Sequence, residues 1–188
     1  MTPLSISRPG PEEAAPFYHG YIATVHGENI GEQLVDQLAK VERAFGALDD
    51  SAALARYSPG KWSIKEVLGH LVDVERIFSY RLLRVSRGDV TPLPGFDEKA
   101  YVPPAHFDER PLRDLAAEFR AVRLSSVALA NGLPATSWSR IGHADGKPVS
   151  ARALVYIIVG HVAHHLGVLR ERYGLGTGAA TASIGKNR

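Results

Sequence analysis

Residues 63–87 read S-I-K-E-V-L-G-H-L-V-D-V-E-R-I-F-S-Y-R-L-L-R-V-S-R, and this stretch sets the architecture. Ile64, Val67, Leu71, Val74, Phe78, Leu82 and Val85 recur in steps of three and four, the period of a helix with one buried face. Ser63 followed by Glu66 makes a capping box, in which each side chain serves a backbone N–H at the helix start. The helix therefore begins sharply at Ser63 and runs to about Arg87, before Gly88. Upstream, Ile30, Leu34, Leu38, Val41, Phe45 and Leu48 give the same period from about Asn29 to Leu48. Downstream, a third helix begins at Pro111 as its first residue, carries Leu112, Leu115, Phe119, Val122 and Leu129, and stops at Asn131-Gly132. A fourth opens at Ser150, carries Leu154, Ile157, Ile158, Val168 and Leu169, and ends at Gly174.

The fold class is thus all-α, a four-helix bundle. No stretch sustains strand-like alternation, although Trp138 to Val149, with Asp145-Gly146, predicts a small hairpin. The connection from Gly88 to Arg110 is too long for a simple up-and-down bundle and can cross its whole length, so the second and third helices can run parallel. Three regions follow: an irregular arm over 1–28, whose first ten or so residues are expected to be disordered, the bundle over 29–174, and a loose Gly-, Ala- and Thr-rich tail over 175–188.

The 188 residues fit one domain, with 45% hydrophobic and 22% charged residues, near the averages for globular chains. A net charge of +2, from 22 basic and 20 acidic residues mixed along the chain, gives no footprint for nucleic acid or anionic lipid. The chain has no cysteine, so any thiol chemistry must come from outside it. There is no signal-type N-terminus, and no segment reads as a membrane span, so a cytoplasmic protein with a small-molecule substrate is expected. A homodimer suits a helical bundle of this size.

Eight histidines are present, and His19, His26, His106 and His143 fall in the arm or in loops, where a solvated imidazole is the default. His161 and His165 are different. They stand four apart on the apolar stripe Leu154, Ile158, His161, His165, Leu169, while His70 lies between Val67 and Val74 on the inward face of the second helix. At 1.5 Å per residue, His70 is about 10 Å from the start of its helix and His165 about 12 Å from the end of the fourth, so in antiparallel helices the rings meet at one level. Several unpaired imidazoles in an apolar interior would cost several kcal/mol, and one divalent metal satisfies them together. The rival pair is His161 with His164, but His164 falls at the margin of the stripe and is assigned to the surroundings of the site. Asp73 and Glu75 are the acids nearest to the expected ion and are candidates to orient an imidazole. The zincin motif needs Glu after its first His, where this chain has Val162, and the Glu-x-x-His pairs of di-iron bundles are missing. The site is therefore mononuclear. In the crossover, Pro92 to Val102 is read as packing through Phe96 and Tyr101, with contact of Asp97 or Tyr101 with substrate as the alternative.

Three segments, P-G-K-W-S-I-K-E-V-L-G-H-L-V-D-V-E-R at 59–76, P-L-P-G-F-D-E-K-A-Y-V at 92–102 and G-H-V-A-H-H-L-G-V-L-R-E-R-Y at 160–173, resemble the DinB-like or YfiT-like proteins, bacterial metal-binding four-helix bundles. The resemblance covers roughly residues 17 to 173 and implies an up-down-down-up bundle, with metal ligands falling on His70, His161 and His165. Some members are S-transferases acting with bacillithiol or mycothiol, among them maleylpyruvate isomerases. The leading expectation is therefore a metal-dependent enzyme in which the ion holds an external low-molecular-weight thiol as thiolate for transfer to an electrophile. A hydrolase using metal-activated water and a non-catalytic metal-stabilised or metal-sensing interaction protein are the alternatives. Imidazole ligands suit Zn, Ni or Fe and leave the metal open.

Overall fold

The structure is a computed structural model that describes residues 4–175. The helices are α1 (His19–Ala23), α2 (Ile30–Gly46), α3 (Ile64–Ser86), α4 (Glu98–Ala105), α5 (Leu112–Asn131) and α6 (Ala151–Tyr173), and a hairpin, β1 (Ile141–Ala144) and β2 (Lys147–Ser150), lies between α5 and α6. Ser63 and Glu66 form the expected capping box at the start of α3. Asn29 caps α2 and Ser150 caps α6, each through its side chain. Pro111 sits one position earlier than expected, as the N-cap of α5, whose first amide at Leu112 is bound instead by Asp50 at 2.7 Å.

The four long helices are α2, α3, α5 and α6, and both α2 and α3 pack against α5 and α6. The opposite corners of the bundle are therefore taken by α2 with α3 and by α5 with α6, while α3 and α5, joined by the crossover, are neighbours. Lys65 Nζ donates to Arg110 O at 2.7 Å near the starts of α3 and α5, and Glu75 meets Arg123 further along both, so these helices run parallel. Tyr173 Oη donates to Trp62 O at 2.6 Å at one end of the α3–α6 pair and His70 meets His161 further in, so α6 runs against α3. Arg123 reaches Leu34 and Gln37 while Arg120 pairs with Glu42, which sets α2 against α5. The result is the up-down-down-up bundle that the long crossover implied.

Three expectations are corrected. The arm is ordered from its first described residues: Ser5 bridges to Asn29, Ile6 is buried, and Tyr156 Oη donates to Ile6 O at 2.7 Å. The crossover contains α4, which Pro103 and Pro104 hid, because each removes an N–H that a helix would use. Finally, α6 is by length and composition alone apolar enough to span a bilayer, with a mean hydropathy of 1.4, although most of it is buried in the bundle. His161, His164 and His165 interrupt its apolar run.

The hairpin falls where the sequence placed it, with Asp145 at φ 53° and Gly146 at φ 69°, the pair of left-handed residues that a type I′ turn requires. Leu93 of the crossover bridges to Ala144, binding crossover and hairpin into one wall. Of the tail, only Leu175 lies among the described residues, its amide bonded to Leu169 O past the left-handed Gly174.

The core consists of two apolar clusters. One holds Val74, Phe78, Leu82 and Val85 of α3 with the first half of α6, and the other holds Ile64, Val67, Leu68 and Leu71 with Val162 and Leu169. Where the two clusters meet along α3 and α6, buried polar side chains sit among the apolar ones: Gln37, His70, Glu75, Arg123 and His161. That layer positions the site.

Candidate metal centre

His70 and His161 are 4% and 5% exposed, and His165 is half-buried beside them. One ring nitrogen from each lies within 4.8 Å of the other two, and His70 Nε2 is 3.0 Å from His161 Nε2. Tetrahedral zinc with bonds of about 2.05 Å sets its donors roughly 3.3 Å apart, so shifts of an ångström or less bring the three onto one ion. Burial pushes the His70 imidazole down to about 4 and that of His165 to about 3, and it holds His161 well below the usual range. Neutral imidazoles with free lone pairs at neutral pH are what a divalent ion needs. Among the described residues these rings make one hydrogen bond, between His70 and His161, so a cation would satisfy nitrogens that the protein otherwise leaves to one another.

Aromatic neighbours hold the rings. Trp62 lies 4.7 Å from His70, and the edge of Tyr21 meets His161 at 5.4 Å. Two glycines bring the surrounding chain this close. A Cβ on Gly160 would fall 2.0 Å from Tyr21 O, and one on Gly69 would fall 2.3 Å from the Phe107 ring. Each of these glycines directly precedes a histidine of the cluster.

Behind the imidazoles, Arg123 is 0% exposed and binds Glu75 through two bonds of 2.7 Å. Its Nη1 donates to Gln37 Oε1 at 2.9 Å, and Gln37 Nε2 donates to Val159 O at 2.7 Å, two residues before His161. One guanidinium thus links α2, α3 and α5, and through Gln37 it reaches α6.

In front of them opens a cavity of about 290 Å³. His70, His161, His164 and His165 line it, and α3, the arm, the crossover and the hairpin supply the remaining walls. Its volume suits one small molecule.

A model of the DinB superfamily matches residues 33–169. The chain belongs to the DinB superfamily. A solved structure with a similar fold is YfiT from Bacillus subtilis, described as a probable metal-dependent hydrolase with an unusual four-helix bundle topology. It is 21% identical, with a TM-score of 0.69 over 90% of this chain and 95% of its own. Among curated proteins, nothing matches the chain.

Within this DinB domain the sequence-predicted residues separate. His70, His161 and His165 come together, and His164, exposed at the cavity wall, stacks edge-on against Tyr21 and His165. Asp73 and Glu75 make no hydrogen bond to an imidazole: Asp73 lies 3.9 Å from Arg76, and both carboxylate oxygens of Glu75 are taken by Arg123. In the crossover, Asp97 caps α4 by accepting from Lys99 and Ala100 amides, and Phe96 and Glu98, rather than Asp97 or Tyr101, line the cavity. Sequence reasoning missed Tyr21, Trp62, Arg81 and Arg123. The repeated Gly-His at 69–70 and 160–161 was the available signal, since glycine inside a helix is unfavourable unless something must pass close.

Proposed function

We propose that this DinB-superfamily chain is a metal-dependent hydrolase of a small molecule, with His70, His161 and His165 holding one divalent ion. The observation that carries the reading is the union of three neutral, converging imidazoles with a cavity that opens directly on them. Three protein ligands leave a coordination position for a reactant, as in catalytic rather than structural zinc sites. When bound, the ion supplies Lewis acidity, lowering the pKa of a nucleophile taken up beside it and polarising the group under attack. The description of YfiT as a probable metal-dependent hydrolase points the same way.

The chain's own residues provide the remaining functions. Trp62 and Tyr21 fix the ring planes of His70 and His161. His164, exposed on the cavity wall and making no hydrogen bond with another described residue, is placed to take up a proton from the attacking group. Tyr21, whose hydroxyl burial pushes up from its ordinary range, stays protonated and can donate a hydrogen bond to charge developing on the substrate.

Thiol transfer is the second reading, favoured by the lack of cysteine: the same open position would take the sulfur of bacillithiol or mycothiol. The test is a panel of carboxylic esters and amides, assayed with protein loaded with zinc, nickel or iron, with and without either thiol. Turnover without thiol that disappears in His70→Ala supports hydrolysis. Turnover only with thiol transfers the assignment to S-transfer, and none in either arm with a demonstrably loaded site overturns both.

A further inference from the structure

Among the described residues, three basic side chains are more than nine-tenths buried: Lys65, Arg81 and Arg123. Lys65 pairs with Asp50 and Arg123 with Glu75. Arg81, 3% exposed, has no carboxylate partner, and residues 1–3 and 176–188 contain no Asp or Glu to provide one. Its protein contacts are one bond from Nη2 to Pro94 O at 2.8 Å and the faces of Phe78 and Phe96, whose centroids lie 5.4 and 5.3 Å from the guanidinium carbon. Four of five N–H donors lack an acceptor among the described residues, yet neither of the nitrogens that make no bond, Nε and Nη1, is sealed away from solvent. The guanidinium lines the same cavity as the histidines.

A buried cation without a counter-ion is costly unless a ligand supplies the charge. The position of Arg81 says where that ligand lies. His70, Val74, Phe78 and Arg81 follow one another in steps of four, four and three along α3, and all four line the cavity. His70 and Arg81 are therefore the two ends of one stripe, about 16 Å apart along the axis, with apolar side chains between. Glu98 and Asp145 also line the cavity, against one further cation, Lys147, so a dianion would meet repulsion that a single negative charge largely escapes.

We infer that the cavity takes an elongated monocarboxylate, its carboxylate in the fork of Arg81, its apolar middle between Val74, Phe78 and Phe96, and its reacting end at the three imidazoles. The last clause rests on the proposed hydrolase reading; the carboxylate anchor does not. A guanidinium suits this because its parallel N–H donors match the two oxygens of a carboxylate.

The test is calorimetric titration of the full chain with 4-phenylbutyrate and with 4-phenylbutanamide, as purified and after chelation. The wild-type chain should bind the acid at least about ten-fold more tightly than the amide, the scale of one charge-assisted pair, and should do so after chelation as well. Arg81→Met should abolish that preference while the affinity for the amide stays within about two-fold. Should Arg81→Met fail to fold, Arg81→Lys, which keeps the charge but loses the fork, should weaken the acid and leave the amide unchanged. Equal wild-type affinities, or an acid preference that survives Arg81→Met or vanishes on chelation, would overturn the anchor. Failure of the metal reading appears separately, as no zinc uptake by a chain that still prefers the acid.

Discussion

Replacing Glu75 by Gln tests whether the bundle depends on its polar layer. Glu75 and Arg123 are 2% and 0% exposed and share two charge-assisted bonds of 2.7 Å, so the substitution leaves a guanidinium in the core with its charge uncompensated. Removing one partner of a buried pair costs about 3–5 kcal/mol, much of it the penalty on the partner that remains. For a domain of this size each kcal/mol lowers Tm by roughly 2–4 °C, so Glu75→Gln should melt about 6–20 °C below wild type. A thermal melt reads the shift, and urea titration followed by both circular dichroism and tryptophan fluorescence measures the free energy, with coincident transitions required before it is quoted. Glu118→Gln is the control: its partners Arg76 and Arg110 are 49% and 39% exposed, and loss of such pairs should cost no more than about 1 kcal/mol. The paired change Glu75→Leu with Arg123→Met should be less destabilised than Glu75→Gln, because no charge is then left alone. If Glu75→Gln falls within 1 kcal/mol of wild type, the polar layer is not what holds the four helices in place.

Three further outcomes are expected. His70→Ala should abolish one-to-one zinc uptake, read by elemental analysis, and with it the rise in Tm that zinc gives the wild type. In metal-free protein, stability should be full above pH 6.5 and fall as the pH drops toward 4, because the unfolded chain takes up a proton on His70 that the folded chain, held down to about 4, refuses; this is about 3 kcal/mol for that residue, and a flat profile over this range would refute it. Gly160→Ala forces a Cβ against Tyr21 O and should cost about 1–3 kcal/mol and loosen the arm, seen as faster amide exchange over residues 19–23, where Gly167→Ala, with open space around it, should do neither.

Local patterns carried most of the bundle. The stripes of α2, α3, α5 and α6 repeat within each helix, so period alone locates them, and the level of His70 against His165 could be worked out from rise per residue because α3 and α6 are unbroken and antiparallel. What did not show were pairings between distant segments. Arg123 sits next to Val122 and reads as the solvent side of a helix until Glu75, 48 residues away, is known to face it. Arg81 lies on the apolar stripe three residues after Phe78, but its charge argues for the surface in any single-helix reading. Tyr21 came from an arm that looked irregular and reaches His161 only because Gly160 has no side chain.

The same contrast bears on how the imidazoles are oriented. In many metal sites a carboxylate binds the far ring nitrogen of each histidine, and Asp73 and Glu75 looked suited to this because they follow His70 by about one turn. In this bundle Glu75 is committed to Arg123, and Asp73 stands beside Arg76. Ring planes set by Trp62 and Tyr21 instead leave the imidazoles without an anionic partner, so the ligands stay weakly basic and a bound ion keeps more of its charge. A more electrophilic ion acidifies a nucleophile taken up beside it more strongly. If His70, His161 and His165 hold an ion as proposed, Glu75 is not among the groups that orient their rings, because Arg123 takes both of its carboxylate oxygens.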